Sequence, residues 1–306
     1  MKTLRPIRTL VPGIVLLAGL AGLALPPAPA ARAADGTRLL FPLLSNGHWD
    51  LFLMNVDGTG QVNLTNNPAN DLNGSWSPDG KRIVFESDRS GGGDLYMMDA
   101  DGANVKILTD DPLRDAAPIW SPDGKKILFV RIVGEGDAEV FVVDAEGGNA
   151  VNLTNSPGWD TDASWSPDGK QVLFVSNRDT GFRLYVMEPT GAGLRQLPAK
   201  DSGAGLVFPA WSPDGTRIAY GDGADGVTEI WTCNREGGDR KKLTAQGGLN
   251  FYPSWSPDGK LLAYQHYESE KKPGSLWIMD RFGEIQNQVI PIQGPFFAGR
   301  PAWQPR

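Results

Sequence analysis

Any chemistry in this chain must come from a few side chains held at fixed distances from a recurring tryptophan. Five residues before Trp76, Trp120 and Trp165 stand Asp71, Asp115 and Asp160, and the same position before Trp211, Trp255 and Trp303 holds Leu206, Asn250 and Ala298. Asp162 adds a fourth carboxylate, and Trp159, Phe208, Phe251, Tyr252, Phe296 and Phe297 bring aromatic rings to the same stretches. Carboxylate oxygens gathered from several loops can hold a hard cation such as calcium, with Asp71, Asp115 and Asp160 as its ligands. The same carboxylates beside aromatic rings can instead grip a basic or aromatic peptide segment. Each Asp or Asn can also bond the backbone of its own loop in an Asx turn.

Other catalytic arrangements find no support. His48 and His266 are the only histidines, too few for a His-rich metal site, and both read as surface or strand-end residues. There is no Gly-x-Ser-x-Gly nucleophile turn. The clusters Ser90-Gly91-Gly92-Gly93 and Glu146-Gly147-Gly148 read as turns rather than phosphate cradles. Asp79, Asp123, Asp168, Asp214 and Asp258 recur in one motif, so they read as turn-holding residues; chemistry would single out one of them. Cys233, the only cysteine, cannot form an intramolecular disulfide and reads as a packed, inert thiol.

The elements that position these residues follow from the repeat. Trp-Ser-Pro-Asp-Gly begins at Trp76, Trp120, Trp165, Trp211 and Trp255, and a worn copy, Pro301-Ala302-Trp303-Gln304-Pro305, closes the chain. The steps between tryptophans are 44, 45, 46, 44 and 48 residues, a period in which one unit cannot bury its apolar face alone. In one unit a short strand reaches Trp120, and Ser121-Pro122-Asp123-Gly124 suits a type I turn followed by a positive φ at Gly. Lys126-Ile127-Leu128-Phe129-Val130, Glu139-Val140-Phe141-Val142-Val143 and Val151-Asn152-Leu153-Thr154 supply the other three strands. Pro118, Pro209, Pro253 and Pro301 stand two before their tryptophans, which makes the Trp strand an edge facing a central channel. The fold class is therefore all-β: a six-bladed β-propeller with four antiparallel strands per blade and the tryptophans as inter-blade core. Thr37–Phe41, Leu51–Asn55 and Gln61–Thr65 match second, third and fourth strands, so the terminal Arg300-Pro301-Ala302-Trp303 is expected to join the N-terminal blade and close the ring. The loops entering the Trp strands then crowd one channel mouth, where the carboxylates and aromatics above are expected.

Residues 1–33 read as a secretory signal, with Lys2, Arg5 and Arg8 before an apolar run from Leu10 to Leu25 and a small-x-small site at Ala31-Arg32-Ala33. An uncleaved anchor is the alternative, weakened by Pro12 and Gly13 in a short run. Cleavage removes four basic residues and no acidic one, leaving 25 against 36 and a net charge of −11. That balance argues against nucleic-acid binding. The propeller occupies residues 37–306 and is expected to be a monomer with no membrane span once the signal is removed.

The Trp-Ser-Pro-Asp-Gly-Lys turns, Ser87-Asp88-Arg89 and Asp94-Leu95-Tyr96-Met97-Met98-Asp99-Ala100-Asp101-Gly102 resemble the repeat of the TolB-type six-bladed propeller over about Thr37 to Arg306. The resemblance implies a periplasmic or secreted protein without the α/β domain that precedes the propeller in TolB. The acidic and aromatic mouth, with no catalytic constellation beside it, points to a non-enzymatic TolB-like propeller that binds a protein or peptide partner of the cell envelope at the channel mouth, with no cofactor beyond a possible calcium ion in the channel. The alternative is a metal-dependent hydrolase or lyase acting on a sugar or ester.

Overall fold

A computed structural model describes residues 37–179, 181–198, 205–224, 226–269, 272–292 and 299–305. The leader, residues 1–33, and Phe296, Phe297 and Ala298 lie outside these residues. Among the described residues the chain is all strand and turn, and no helix is long and apolar enough to cross a membrane.

The first sheet holds β1 (Arg38–Ser45), β2 (His48–Asn55) and β3 (Val62–Asn63). The second holds β4 (Asp71–Trp76), β5 (Arg82–Ser87), β6 (Asp94–Asp99) and β7 (Lys106–Ile107). The third holds β8 (Arg114–Trp120), β9 (Lys126–Gly134), β10 (Asp137–Asp144) and β11 (Val151–Asn152). The fourth holds β12 (Asp160–Trp165), β13 (Val172–Ser176), β14 (Arg183–Met187) and β15 (Arg195–Gln196). An eight-stranded sheet follows, of β16 (Gly205–Trp211), β17 (Arg217–Ala224), β18 (Val227–Asn234) and β19 (Lys241–Lys242), then β20 (Leu249–Trp255), β21 (Leu261–Tyr267), β22 (Gly274–Asp280) and β23 (Gln286–Ile292). Its two four-strand halves meet at one parallel residue pair, Thr228 with Leu249, where the Thr228 N–H donates to the Gly248 carbonyl at 2.9 Å. Similar single bridges join Ala138 to Trp159 and Phe182 to Gly205 without merging sheets.

The terminal β24 (Ala302–Trp303) pairs antiparallel with β1, Trp303 opposite Leu39 and Ala302 opposite Leu40, and so completes the first sheet from the far end of the chain. It also lies against β4 and β20.

The repeated turn is held as the sequence implies. The Ser77 hydroxyl donates to Asp79 at 2.6 Å and accepts the Arg82 N–H at 2.9 Å, while Asp79 accepts the Lys81 N–H at 3.1 Å. The bonding recurs at Asp123, Asp168, Asp214 and Asp258, with the following Gly at φ near +68°. Five exposed aspartates with one bonding pattern are turn residues.

Apolar residues on both faces of each sheet are buried between neighbours. Trp76, Ile83 and Phe85 pack on Leu40 and Leu51 of the first sheet; Trp120, Ile127 and Phe129 pack on Val84 and Met97 of the second. Trp165 packs on Leu128 and Val140 of the third, and Trp211 on Leu173 and Val175 of the fourth. Trp255 lies with Ala219 and Ile230, and Trp303 with Ala263 and Ile278 of the last half-sheet. Burying a side chain of this size contributes about 1.5–3 kcal/mol, so these seams dominate the stability. Cys233 is buried among Trp211, Ile218 and Tyr220, and burial pushes its thiol up to about 12, which keeps it protonated and inert.

Each inner strand is interrupted at one place. The register shifts between Leu72 and Ser75, Ala116 and Ile119, Thr161 and Ser164, Val207 and Ala210, and Phe251 and Ser254. Pro118, Pro209 and Pro253 sit inside this bulge, where a missing N–H costs no ladder bond.

Candidate functional site

The bulge redirects the side chains that precede each tryptophan. Asp71, Asp115 and Asp160 do not form an open rim: all three are buried, and each is closed by an arginine from the end of the second strand or the loop after it. Arg89 Nη2 donates to both oxygens of Asp71 at 2.9 Å. Arg131 grips Asp115 through Nε at 2.7 Å and Nη2 at 2.8 Å, and Arg178 Nη2 reaches Asp160 at 2.8 Å. The guanidinium of Arg89 also lies over the rings of Phe85 and Tyr96, Arg131 over Phe129 and Phe141, and Arg178 over Phe174 and Tyr185. Burial raises the Asp71 and Asp115 carboxyls, and hydrogen bonds led by Ser87 for Asp71 and Arg131 for Asp115 oppose it. A carboxylate taken out of water needs such a partner. The oxygens of the three aspartates are turned to arginine, and among the described residues no three His, Cys, Asp or Glu side chains come together to hold a metal.

Asn250 is fully buried at the equivalent position. Its amide nitrogen donates to the Thr228 carbonyl at 2.8 Å and to Glu229 at 3.1 Å, and its oxygen lies 3.0 Å from His266 Nδ1. An amide and an imidazole here replace the carboxylate and guanidinium, with the His266 ring edge-on to Trp277 at 5.8 Å. Trp159 is half-buried in the loop entering β12, its N–H donating to Asn177 Oδ1 at 2.7 Å.

A second set of residues, which does touch from sheet to sheet, stands three, not five, before the tryptophans. Asn73, Ala117, Asp162, Phe208 and Tyr252 all occupy the left-handed region at φ between 51° and 55°, and Arg300 stands at the same distance from Trp303. One side is polar: Glu86 accepts from Asn73 Nδ2 at 2.9 Å and Arg114 Nη2 at 2.6 Å, and the Arg300 N–H donates to Asn73 Oδ1 at 3.3 Å. Opposite, the Phe208 and Tyr252 rings lie 4.0 Å apart, with Phe251 edge-on to Phe208 at 5.5 Å. The Phe208 N–H reaches Asp162 Oδ2 at 3.4 Å across two sheets.

Charges from separate sheets register one another here. Burial raises the Asp162 carboxyl to about 6, against the pull of Arg300. Burial, then the Asp162 charge, holds the Tyr252 hydroxyl well above its ordinary value, and burial lowers Arg300 while Asp162 offsets it. Asp162, Phe208, Tyr252 and Phe251 were accessible to sequence reasoning; Asn73, Glu86, Arg114 and Arg300 were missed, although counting three residues back from each Trp would have found two of them.

The raised Asp162 carboxyl has a measurable sign. Its folded value near 6 exceeds 3.8, so the folded chain holds that proton more tightly than the unfolded chain. Ionised Asp162 therefore costs stability at neutral pH, and the cost fades as pH falls through 6 toward 4. The shift sets a ceiling of about 3 kcal/mol, which the partial exposure of Asp162 reduces to about 1 kcal/mol. Asp162→Asn is expected to melt a few degrees higher than wild type at pH 7.5 and together with it near pH 4, in thermal melts followed by circular dichroism. A variant less stable at pH 7.5 would contradict this.

Comparison with known proteins follows the same lines. The family described as TolB beta propeller domain matches residues 18–131 and 110–306. A stretch of 42 residues is 50% identical to the TolB homolog of Protochlamydia amoebophila (strain UWE25), spanning 14% of this chain and 9% of that protein's length. The crystal structure of TolB from Acinetobacter baumannii is similar with a TM-score of 0.75 at 25% identity, over 88% of this chain and 67% of that one. An oligogalacturonate lyase in complex with manganese is similar with a TM-score of 0.61 at 18% identity, over 87% of this chain and 78% of that one, a likeness of fold alone.

Proposed function

This chain belongs to the TolB beta-propeller family, and from that premise we propose that it is a non-enzymatic binding module, a closed six-bladed ring that takes a protein or peptide partner of the cell envelope at its channel mouth. Six blades and closure are supported by the apolar seams, which link every consecutive pair of four-strand units and also the last with the first. The pairing of β24 with β1 supports closure from the backbone side. A periplasmic or secreted location is supported by the basic, apolar and small-residue order of residues 1–33.

The observation that carries the binding reading is the two-sided lining. Asp162, Glu86 and Arg300 offer fixed charges, and Phe208 with Tyr252 offers a ring face, a combination suited to a peptide with one charged and one aromatic anchor. The histidines stand elsewhere, His48 3.4 Å from Asp50 and His266 on Asn250.

The test is capture of envelope proteins from the source cell by the immobilised chain. Phe208→Ala combined with Arg300→Gln is expected to lower recovery of the specific partner at least tenfold with the melting curve still cooperative. Equal recovery by a folded double variant would remove the channel from the interaction. The alternative reading is an enzyme using a channel cation, for which the lyase, alike in fold alone, names only a substrate to try. Stoichiometric metal in protein purified without chelator, together with turnover of oligogalacturonate, would establish that reading instead.

A further inference from the structure

The outer edges of the sheets are not alike. Strands β3, β7, β11, β15 and β19 each have two residues, whereas β23 runs for seven, Gln286 to Ile292, or roughly 23 Å of edge. Among the described residues β23 pairs only with β22 and ends its sheet, so no described strand bonds its other side. One face is packed against the first sheet, where a Cβ added at Gly58 would lie 3.2 Å from the Val289 carbonyl.

Charge separates this edge from the others. Exposed strands are normally guarded by short length, lysine or proline. Lys106, Arg195, Lys241 and Lys242 guard β7, β15 and β19, and β3 and β11 are guarded by length alone. From Ile285 to Gly299 the sequence has no charged residue. Pro291 near the strand's end and the register shift at Val289 are its guards, and both leave Gln286 to Gln288 as an unbroken stretch able to pair. Just before the strand, Ile285 is 62% exposed and Phe282 48% exposed, the first being the largest exposure among the exposed apolar side chains of the described residues.

We propose that β23 pairs antiparallel with β23 of a second copy of this chain across a two-fold axis. The occupant follows from symmetry. In such a pair each residue faces its own copy or that of a near neighbour, so a lysine-bearing edge repels itself, and β23 alone combines length with no charge. Centred on Asn287, ahead of the irregularity at Val289, the pairing sets Gln286 against Gln288 and brings Ile285 and Phe282 of both copies to the flanks. The association is weak and concentration-dependent, because a single edge buries little area. It leaves the channel untouched and holds whether or not the channel binds a peptide.

The test uses the full chain in sedimentation-velocity runs from about 1 to about 200 µM. The expected result is a rise in weight-average mass toward twofold, with amide hydrogen exchange slowing between Gln286 and Gln288 as concentration rises. Gln288→Lys, an exposed position, is expected to hold the chain monomeric over the same range with its melting curve unchanged. Mass constant to the highest concentration overturns the proposal. A dimer whose β23 amides exchange at the low-concentration rate overturns it equally, as does a dimer that survives Gln288→Lys. Should Gln288→Lys fail to fold, the exchange measurement on the wild-type chain still decides.

Discussion

Asp160→Ala is expected to destabilise the chain by about 3–5 kcal/mol, a large share of the 5–15 kcal/mol that holds a domain folded. The reason is what remains behind. Arg178 is mostly buried over Phe174 and Tyr185, with Asp160 as its carboxylate partner at 2.8 Å. Removing the acid leaves a mostly buried guanidinium in an apolar seam without its carboxylate partner. In thermal denaturation the midpoint should fall by about 10 °C. The double substitution Asp160→Leu with Arg178→Met should recover much of that loss, since replacing both partners of a buried pair by apolar groups is often neutral. If Asp160→Ala melts like wild type, the pair contributes nothing and the aspartate is free for another role. The same reasoning applies to Asp71 with Arg89 and Asp115 with Arg131, so loss of binding after removing all three acids would report unfolding.

Removing the terminal segment from Arg300 onward is expected to abolish cooperative unfolding altogether. The segment supplies β24, the Trp303 side chain of the seam between first and last units, and the bond from Trp303 Nε1 to the Ser254 carbonyl at 2.9 Å. It also supplies the Gln304 contact to Arg38 Nε at 2.7 Å. Trp303→Ala alone should cost about 3–5 kcal/mol. The full deletion exposes both walls of that seam, and hydrogen exchange should quicken first in Leu39–Leu43 and Leu276–Ile290. A truncated chain with wild-type urea unfolding would show that the first and last units do not depend on each other.

Much of the fold was legible because the repeat speaks at several levels together. Trp120, Ser121-Pro122-Asp123-Gly124 and the apolar run after them fix a strand, a turn and a strand, and the same grammar at both ends foretold that Trp303 would pair with Leu39. The site was legible only in part. Reading side chains by alternation assumes an unbroken ladder, and the bulge before each Trp breaks it. Asp160 thereby bonds Arg178 of its own sheet, and Asp162, two residues on, reaches Phe208 of the next. The arginine partners could have been suspected from Ser87-Asp88-Arg89 and Ser176-Asn177-Arg178, where the serine hydroxyl accepts from the arginine Nε at 2.9 Å. What no local pattern carries is the meeting of Asp162 with Arg300, which lie 138 positions apart in the chain and come near only through the arrangement of whole sheets.

The left-handed residue in each inner strand has an evolutionary side. Asn73, Ala117, Asp162, Phe208 and Tyr252 are five unlike side chains on one backbone shape that disfavours all of them by about 1 kcal/mol. Glycine would suit that shape better at every one. One residue per inner strand, set in the bulge where the ladder is already interrupted, can change without breaking a ladder bond. Descendants of such a chain can vary these five side chains while the strands that carry them stay as they are.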